Sequence, residues 1–433
     1  MFEDSFDPAM LRYHGDVEAH PGMLDFAVNV QGLAPPPWLR DRLAARLADL
    51  GRYPSAVDDQ VARIAVAARH GRTPEEVLLL AGAAEGFALL PRLAPRLAAV
   101  VHPSFTEPEL ALREADIPVT RVILKPPYAL DPALVPEDAD LVVLGNPTNP
   151  TSVLHAADTI KALRRPGRIL VVDEAFADAV IDPGTAARSD RQRQPVDPFD
   201  TEQASDQPTT RGGANPARGV LTLDDLSAED LAVVAAFTDR MASPDRDGPV
   251  QVSTSRTELP FPFGGSPSAA EPESLAGLRA PDVLVLRSLT KTWALAGLRC
   301  GYVLGAPEVL ARLRHGRPHW PLGTLQLEAI SATAEPAAVA ESRRHAHRIA
   351  TDRVAMIERL RAIGIDVHTP ASGPFLLIRV RDGELVRKRL ADRGIAVRRA
   401  DTFPGLGPDH LRVAVRGSAA VDQLVDALRA ALW

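Results

Sequence analysis

Apolar residues recur along this chain in two rhythms. Val77–Leu80, Ala99–His102, Leu141–Leu144, Ile169–Val172 and Val283–Leu286 are short apolar runs with the length of buried strands. Between them, leucines and alanines at helical spacing predict helices over 36–50, over 57–70, from Gly82 through Leu97, and around 155–165. Short apolar strands alternating with helices predict an α/β fold, a mostly parallel sheet covered on both faces. Farther on the rhythm changes. Helical patterns over 321–335, 337–363, 383–393 and 418–431 enclose strand-like Phe375–Val380, Ile395–Arg398 and Leu411–Val415. That set predicts a second, smaller α+β domain.

One stretch breaks both rhythms. Asp182–Arg218 is rich in Pro, Asp, Ser, Thr, Gln and Arg, Ala242–Ala270 in Pro, Ser and Gly, and residues 183–268 as a whole are expected to be a disordered insertion. Within them Thr222–Met241 carries a cap signal and a short apolar face, which predicts an isolated helix. The expected partition is therefore 1–50, an N-terminal arm and part of the small domain; 51–315, a large domain holding the insertion; and 316–433, the C-terminal small domain.

Composition narrows the function classes. The 433 residues are 45% hydrophobic and 24% charged, with a formal charge of -7. That balance favours neither nucleic acid nor an anionic membrane as partner. The single cysteine, Cys300, rules out an intrachain disulfide, and no metal site is expected. The acidic start MFEDSFDPAM lacks a basic-then-apolar leader, and apolar stretches are broken before the roughly 20 residues of a membrane span. A cytoplasmic protein is expected.

The chemistry concentrates around one lysine. The Val283–Leu286 strand delivers Ser288-Leu289-Thr290-Lys291 to a loop, and Arg299 follows eight residues after the lysine. An amine in an apolar, partly cationic pocket loses affinity for its proton and becomes a nucleophile. Arg299 and the Ser288 hydroxyl are suited to hold a phosphate. Ser-x-x-Lys followed at this distance by Arg resembles the lysine motif of the class I and II aminotransferase superfamily, the fold-type I enzymes of pyridoxal 5'-phosphate (PLP). That resemblance implies a large mostly parallel domain, a smaller domain and a homodimer. It also implies that Lys291 holds the cofactor covalently while Ser288 and Arg299 bind its phosphate.

Further segments resemble the family in the same order. Asn146-Pro147-Thr148-Asn149-Pro150-Thr151-Ser152 is similar to its NPxNPTG turn, with Ser152 replacing the glycine, and places Asn149 on the cofactor's phenolic oxygen. Asp173-Glu174-Ala175-Phe176 ends a strand where ligands bind in open α/β sheets. Asp173 would keep the ring nitrogen protonated. Phe176 stands where many members have a tyrosine. Gly82, Ala83 and Ala84 open a helix whose free N–H groups suit a phosphate. Phe105 matches the aromatic that stacks on the cofactor ring, and Tyr53 matches the tyrosine that reaches the partner subunit's cofactor.

Which bond breaks depends on how the substrate's acid groups are gripped, because the bond to be broken must stand perpendicular to the cofactor plane. Tyr13-His14-Gly15-Asp16 and Leu24-Asp25-Phe26-Ala27-Val28-Asn29 resemble segments of the L-threonine-O-3-phosphate decarboxylases of cobalamin biosynthesis, although Asp16 replaces a second glycine. That resemblance implies that His14, Asn29, Arg398 and Arg412 contact the phosphate and carboxylate of a phosphorylated amino acid or amine. The sequence thus predicts a PLP-dependent lyase decarboxylating L-threonine O-3-phosphate. The alternative is an aminotransferase acting on histidinol phosphate or another amino acid.

Overall fold

The computed structural model describes residues 8–181, 232–238 and 271–432. A seven-stranded sheet forms the centre of the larger part. In chain order its strands are β2 (Val77–Leu80), β3 (Ala98–His102), β4 (Val119–Ile123), β5 (Leu141–Gly145), β6 (Ile169–Asp173), β7 (Val283–Ser288) and β8 (Gly301–Leu304). Their spatial order is β2-β8-β7-β6-β5-β3-β4. Only β8 runs antiparallel to its neighbours β2 and β7. The other pairs are parallel. β2, β3, β5, β7 and β8 are buried throughout, as expected of strands covered on both faces.

Two strands escape the sequence pattern. β4 alternates Val, Thr, Arg and Val at the sheet edge and lacks an apolar run. β8 begins at Gly301, where an added Cβ would lie 2.7 Å from the Arg287 carbonyl. Glycine there lets β8 close on β7.

Helices cover the sheet. Ala56–His70 shows how sequence sets such an element: Ser55 Oγ accepts from the Val57 N–H at 3.0 Å, and Gly71 ends the helix at φ 64°. The helix expected over 36–50 divides into an α-helix, Pro37–Ala45, and a 3-10 turn, Leu47–Gly51.

The smaller part is a four-stranded antiparallel sheet with helices Pro336–Ala362, Gly383–Ala391 and Ser418–Leu432. Its strands are β9 (Asp366–Val367), β10 (Phe375–Arg379), β12 (Arg398–Arg399) and β13 (His410–Ala414). The expected strand Ile395–Arg398 is two short ones, β11 (Ile395–Ala396) and β12. β11 pairs in parallel with β1 (Leu24–Asp25), which brings the N-terminal segment and its Asn29 beside β13.

Most of the 183–268 insertion lies outside the described residues, as do both ends of the expected helix Thr222–Met241. Its described piece, 232–238, is helical. Val234 there is fully buried and Phe237 packs against the core around the central sheet. That turn is therefore docked and not isolated: its two apolar side chains at i and i+3 share one face. Among the described residues no helix is long and apolar enough to cross a membrane.

Candidate active site

The parallel strands β3, β5, β6 and β7 all point their C-terminal ends at one cavity of about 440 Å³. That volume suits a small cofactor and substrate. Twelve of the thirteen expected site residues line it. Ala83, Ala84, Phe105, Asn149, Asp173, Ser288, Lys291 and Arg299 come from the larger part, and His14, Asn29, Arg398 and Arg412 complete the wall. Tyr53 does not line it. Its side chain is 74% exposed and stacks on Trp320 at 4.1 Å between ring centroids.

Lys291 sits on the loop after β7, between buried Leu289 and Trp293. Burial first, then the Arg412 and Arg299 charges, pull its amine down to about 8. A substantial fraction is then neutral near physiological pH. Among the described residues no carboxylate pairs with it.

Asp173 ends β6, and its Oδ1 accepts the Ala175 N–H at 3.0 Å. Burial pushes its carboxyl up to about 6, against that hydrogen bond. A carboxylate held at this cost is stabilised by a cationic partner.

Gly82 shapes the wall opposite. It holds φ 84°, and an added Cβ would lie 3.1 Å from Arg299 Nη2. Arg299 itself has φ 63°. The Gly82 turn and the Arg299 fork thus enclose a cradle that a side chain would fill. Ser288 Oγ lies 2.8 Å from Thr290 Oγ1 beside them. Gly82→Ala should weaken binding of the cofactor about tenfold, from strain of about 1–3 kcal/mol at a positive φ. Titrating PLP into the apoprotein checks this.

On the substrate side, Arg412 crosses from β13. Its Nη1 donates to Asn149 Oδ1 at 2.7 Å and its Nη2 to the Ala27 carbonyl. Its Nε is buried without a partner, as is Asn29 Oδ1. Arg398 donates to the Arg399 and Tyr13 carbonyls and to Thr402 Oγ1, each at 2.7 Å, and lies over the Tyr13 ring. Burial lowers Arg398 to about 10 and Arg412 to about 9, the latter also through Arg398. Both remain cations at neutral pH, and one wall of the cavity is set for an anion.

Sequence reasoning missed Glu107, which lines the cavity and takes His14 Nε2 at 2.6 Å. No motif flagged it. Its place two residues after Phe105, in the first turn of helix Glu107–Glu114, was the one available signal.

The fold and the cavity define a fold-type I PLP-dependent enzyme. The orphaned polar atoms, the cradle at Gly82, and Lys291 and Asp173 on the same cavity all fit that cofactor. The sequence model of the class I and II aminotransferases matches residues 22–200 and 263–428, and the chain belongs to that family. PLP is its cofactor.

The chain is 46% identical, over 95% of its length and 89% of the relative's, to a histidinol-phosphate aminotransferase of Mycobacterium bovis. Against a threonine-phosphate decarboxylase of Salmonella typhimurium the identity is 24%, over 94% of this chain and 90% of that one. The solved histidinol-phosphate aminotransferase of Sinorhizobium meliloti, crystallised with PLP, superposes with TM-score 0.67 at 17% identity, covering 99% of this chain and 95% of that one.

These findings correct the expected decarboxylase. The 46% match extends over nearly the whole chain, whereas the decarboxylase reading rested on two short N-terminal segments. The lyase assignment and the place in cobalamin biosynthesis fall with it.

Proposed function

We propose that the protein is an aminotransferase that moves the amino group of histidinol phosphate, or a closely related phosphorylated amine, to a 2-oxo acid. The carrying observation is the convergence of Lys291, Asp173 and two buried arginines on one cavity. The full-length relative named for that substrate supports the particular choice.

When bound, PLP supplies an electron-withdrawing ring that accepts the electron pair left at the substrate's Cα. The chain's residues do the rest. Ser288, Arg299 and the N–H groups at Ala83 and Ala84 would bind the cofactor phosphate. Asn149 would turn from Arg412 to the phenolic oxygen, and Phe105 would cover the ring face. The Asp173 carboxylate would hold a proton on the ring nitrogen. Lys291 would attach the cofactor and, once displaced by substrate, carry the Cα proton on Nζ. An amine at about 8 is poised for that exchange. Arg412, Arg398, Asn29 and His14 would grip the phosphorylated substrate. Free Nε on Arg412 gives the anion a donor already in place. The proposed working unit is a homodimer in which Tyr53 reaches the neighbouring site.

Steady-state assay tests this. Histidinol phosphate with 2-oxoglutarate should give glutamate in proportion to enzyme. L-Threonine O-3-phosphate without an oxo acid should release no CO2. Absence of glutamate with histidinol phosphate and every related phosphorylated amine would remove the reading.

A further inference from the structure

Behind Asp173 lies a buried charge cluster that the reaction does not use directly. Arg287, on β7, is 2% exposed. Its Nη1 donates to Glu174 Oε2 at 3.0 Å and to Glu271 Oε2 at 2.6 Å. Its Nη2 donates to Asp178 Oδ1 at 2.5 Å and to Glu271 Oε1 at 3.0 Å. Arg69 shares two of these partners, Asp178 at 2.6 Å and Glu271 at 2.9 Å, and among the described residues makes no hydrogen bond to Glu174. Glu174 is completed by Ser274 Oγ at 2.6 Å and the Leu275 N–H at 2.7 Å.

The position of Arg287 ties this cluster to the site. Its neighbour Leu286 pairs with Asp173, and the Leu286 carbonyl accepts the Glu174 N–H at 2.9 Å. Its other neighbour is Ser288, with Lys291 three residues beyond. The guanidinium therefore joins the residue after Asp173 to the strand that delivers the lysine. A planar fork can serve three carboxylates at once, which an ammonium cannot match in geometry.

We propose that Arg287 is a positioning residue for Asp173. Through Glu174 it fixes the end of β6 against the end of β7, and it neutralises the carboxylate adjacent to Asp173. The inference rests on Asp173 facing the cofactor's ring nitrogen. The Glu174 charge raises the Asp173 carboxyl, in addition to burial, so an unneutralised Glu174 would discourage the anionic form the cofactor needs.

PLP affinity and the visible absorbance of the bound cofactor test the proposal. Arg287→Met should bind PLP at least tenfold more weakly and displace the absorbance band. Arg287→Lys, which keeps the charge but not the three-carboxylate fork, should recover only part of either. Arg69→Met breaks the same cluster without touching Glu174. It should lower the melting temperature and leave affinity and band unchanged.

A wild-type affinity and band in folded Arg287→Met would overturn the proposal, as would equal changes in Arg69→Met. If Arg287→Met fails to fold, Arg287→Gln, whose amide still donates to the carboxylates, carries the test, with weaker PLP binding and a displaced band expected and wild-type values overturning the proposal. Asp173→Asn, measured alongside, should displace the band strongly. An unchanged band in Asp173→Asn would remove the assignment of Asp173 itself and the proposal with it. An unchanged band in Arg287→Met alone would remove only the proposal.

Discussion

Lys291→Ala should lower turnover by about 10⁴-fold or more, because it removes both the attachment point and the proton carrier. The fold should survive. Loop geometry is set by buried Leu289, Thr290 and Trp293 and by the backbone hydrogen bond from Gln31 N–H to the Lys291 carbonyl at 2.9 Å, none of which the substitution removes. The visible band of lysine-bound cofactor should vanish while the circular dichroism of the protein stays unchanged. In the wild type, attachment of PLP should quicken as pH rises toward and through about 8, and then level off. Burial and the Arg412 and Arg299 charges lower the amine, so the reactive neutral form is reached below the ordinary lysine range. Full turnover in Lys291→Ala would place the chemistry elsewhere.

Arg412→Ala has the second largest expected effect. Arg412 is buried, donates to Asn149 and the Ala27 carbonyl, and keeps Nε free. Deleting a buried, hydrogen-bonded charge that grips an anion costs about 2–5 kcal/mol, or roughly 30- to 4,000-fold in substrate affinity. The loss should appear in KM for the phosphorylated substrate, with PLP affinity changed far less. Lysine at 412 should restore little, since a point charge does not replace the fork. Equal losses of substrate and cofactor affinity would take Arg412 out of the substrate wall.

The sequence rhythm located the central sheet because strands buried on both faces must be continuously apolar. β4 was invisible because an edge strand can alternate, and β8 because its motif residues masked a strand that is antiparallel. The cavity was legible for a different reason. Lys291, Asp173, Asn149 and Arg299 sit at strand ends or on the loops that follow, where short motifs keep their spacing. Arg398 and Arg412 came together because β12 and β13 are register partners, Arg398 opposite Arg412. Glu107 and the Arg287 cluster were not legible. Their partners lie on elements far apart in the chain, from Arg69 to Glu271, and no local spacing encodes such contacts.

The N-terminal segment does not encode the choice of reaction. His14-Gly15-Asp16 and Ala27 through Asn29 line one wall of the cavity, and a wall that grips a phosphorylated amine serves either chemistry. Gly15 is required there for a packing reason: an added Cβ would lie 2.6 Å from the Ala27 carbonyl. Short segments under such packing constraints carry little information about which substrate bond stands perpendicular to the ring.

The most direct test is a single half-reaction. PLP-loaded protein is mixed with stoichiometric histidinol phosphate without any oxo acid, and the visible cofactor band is followed. The band should bleach once, with no CO2 released, and return when 2-oxoglutarate is added. A band that does not respond to histidinol phosphate, together with CO2 release from L-threonine O-3-phosphate, would contradict the proposed function.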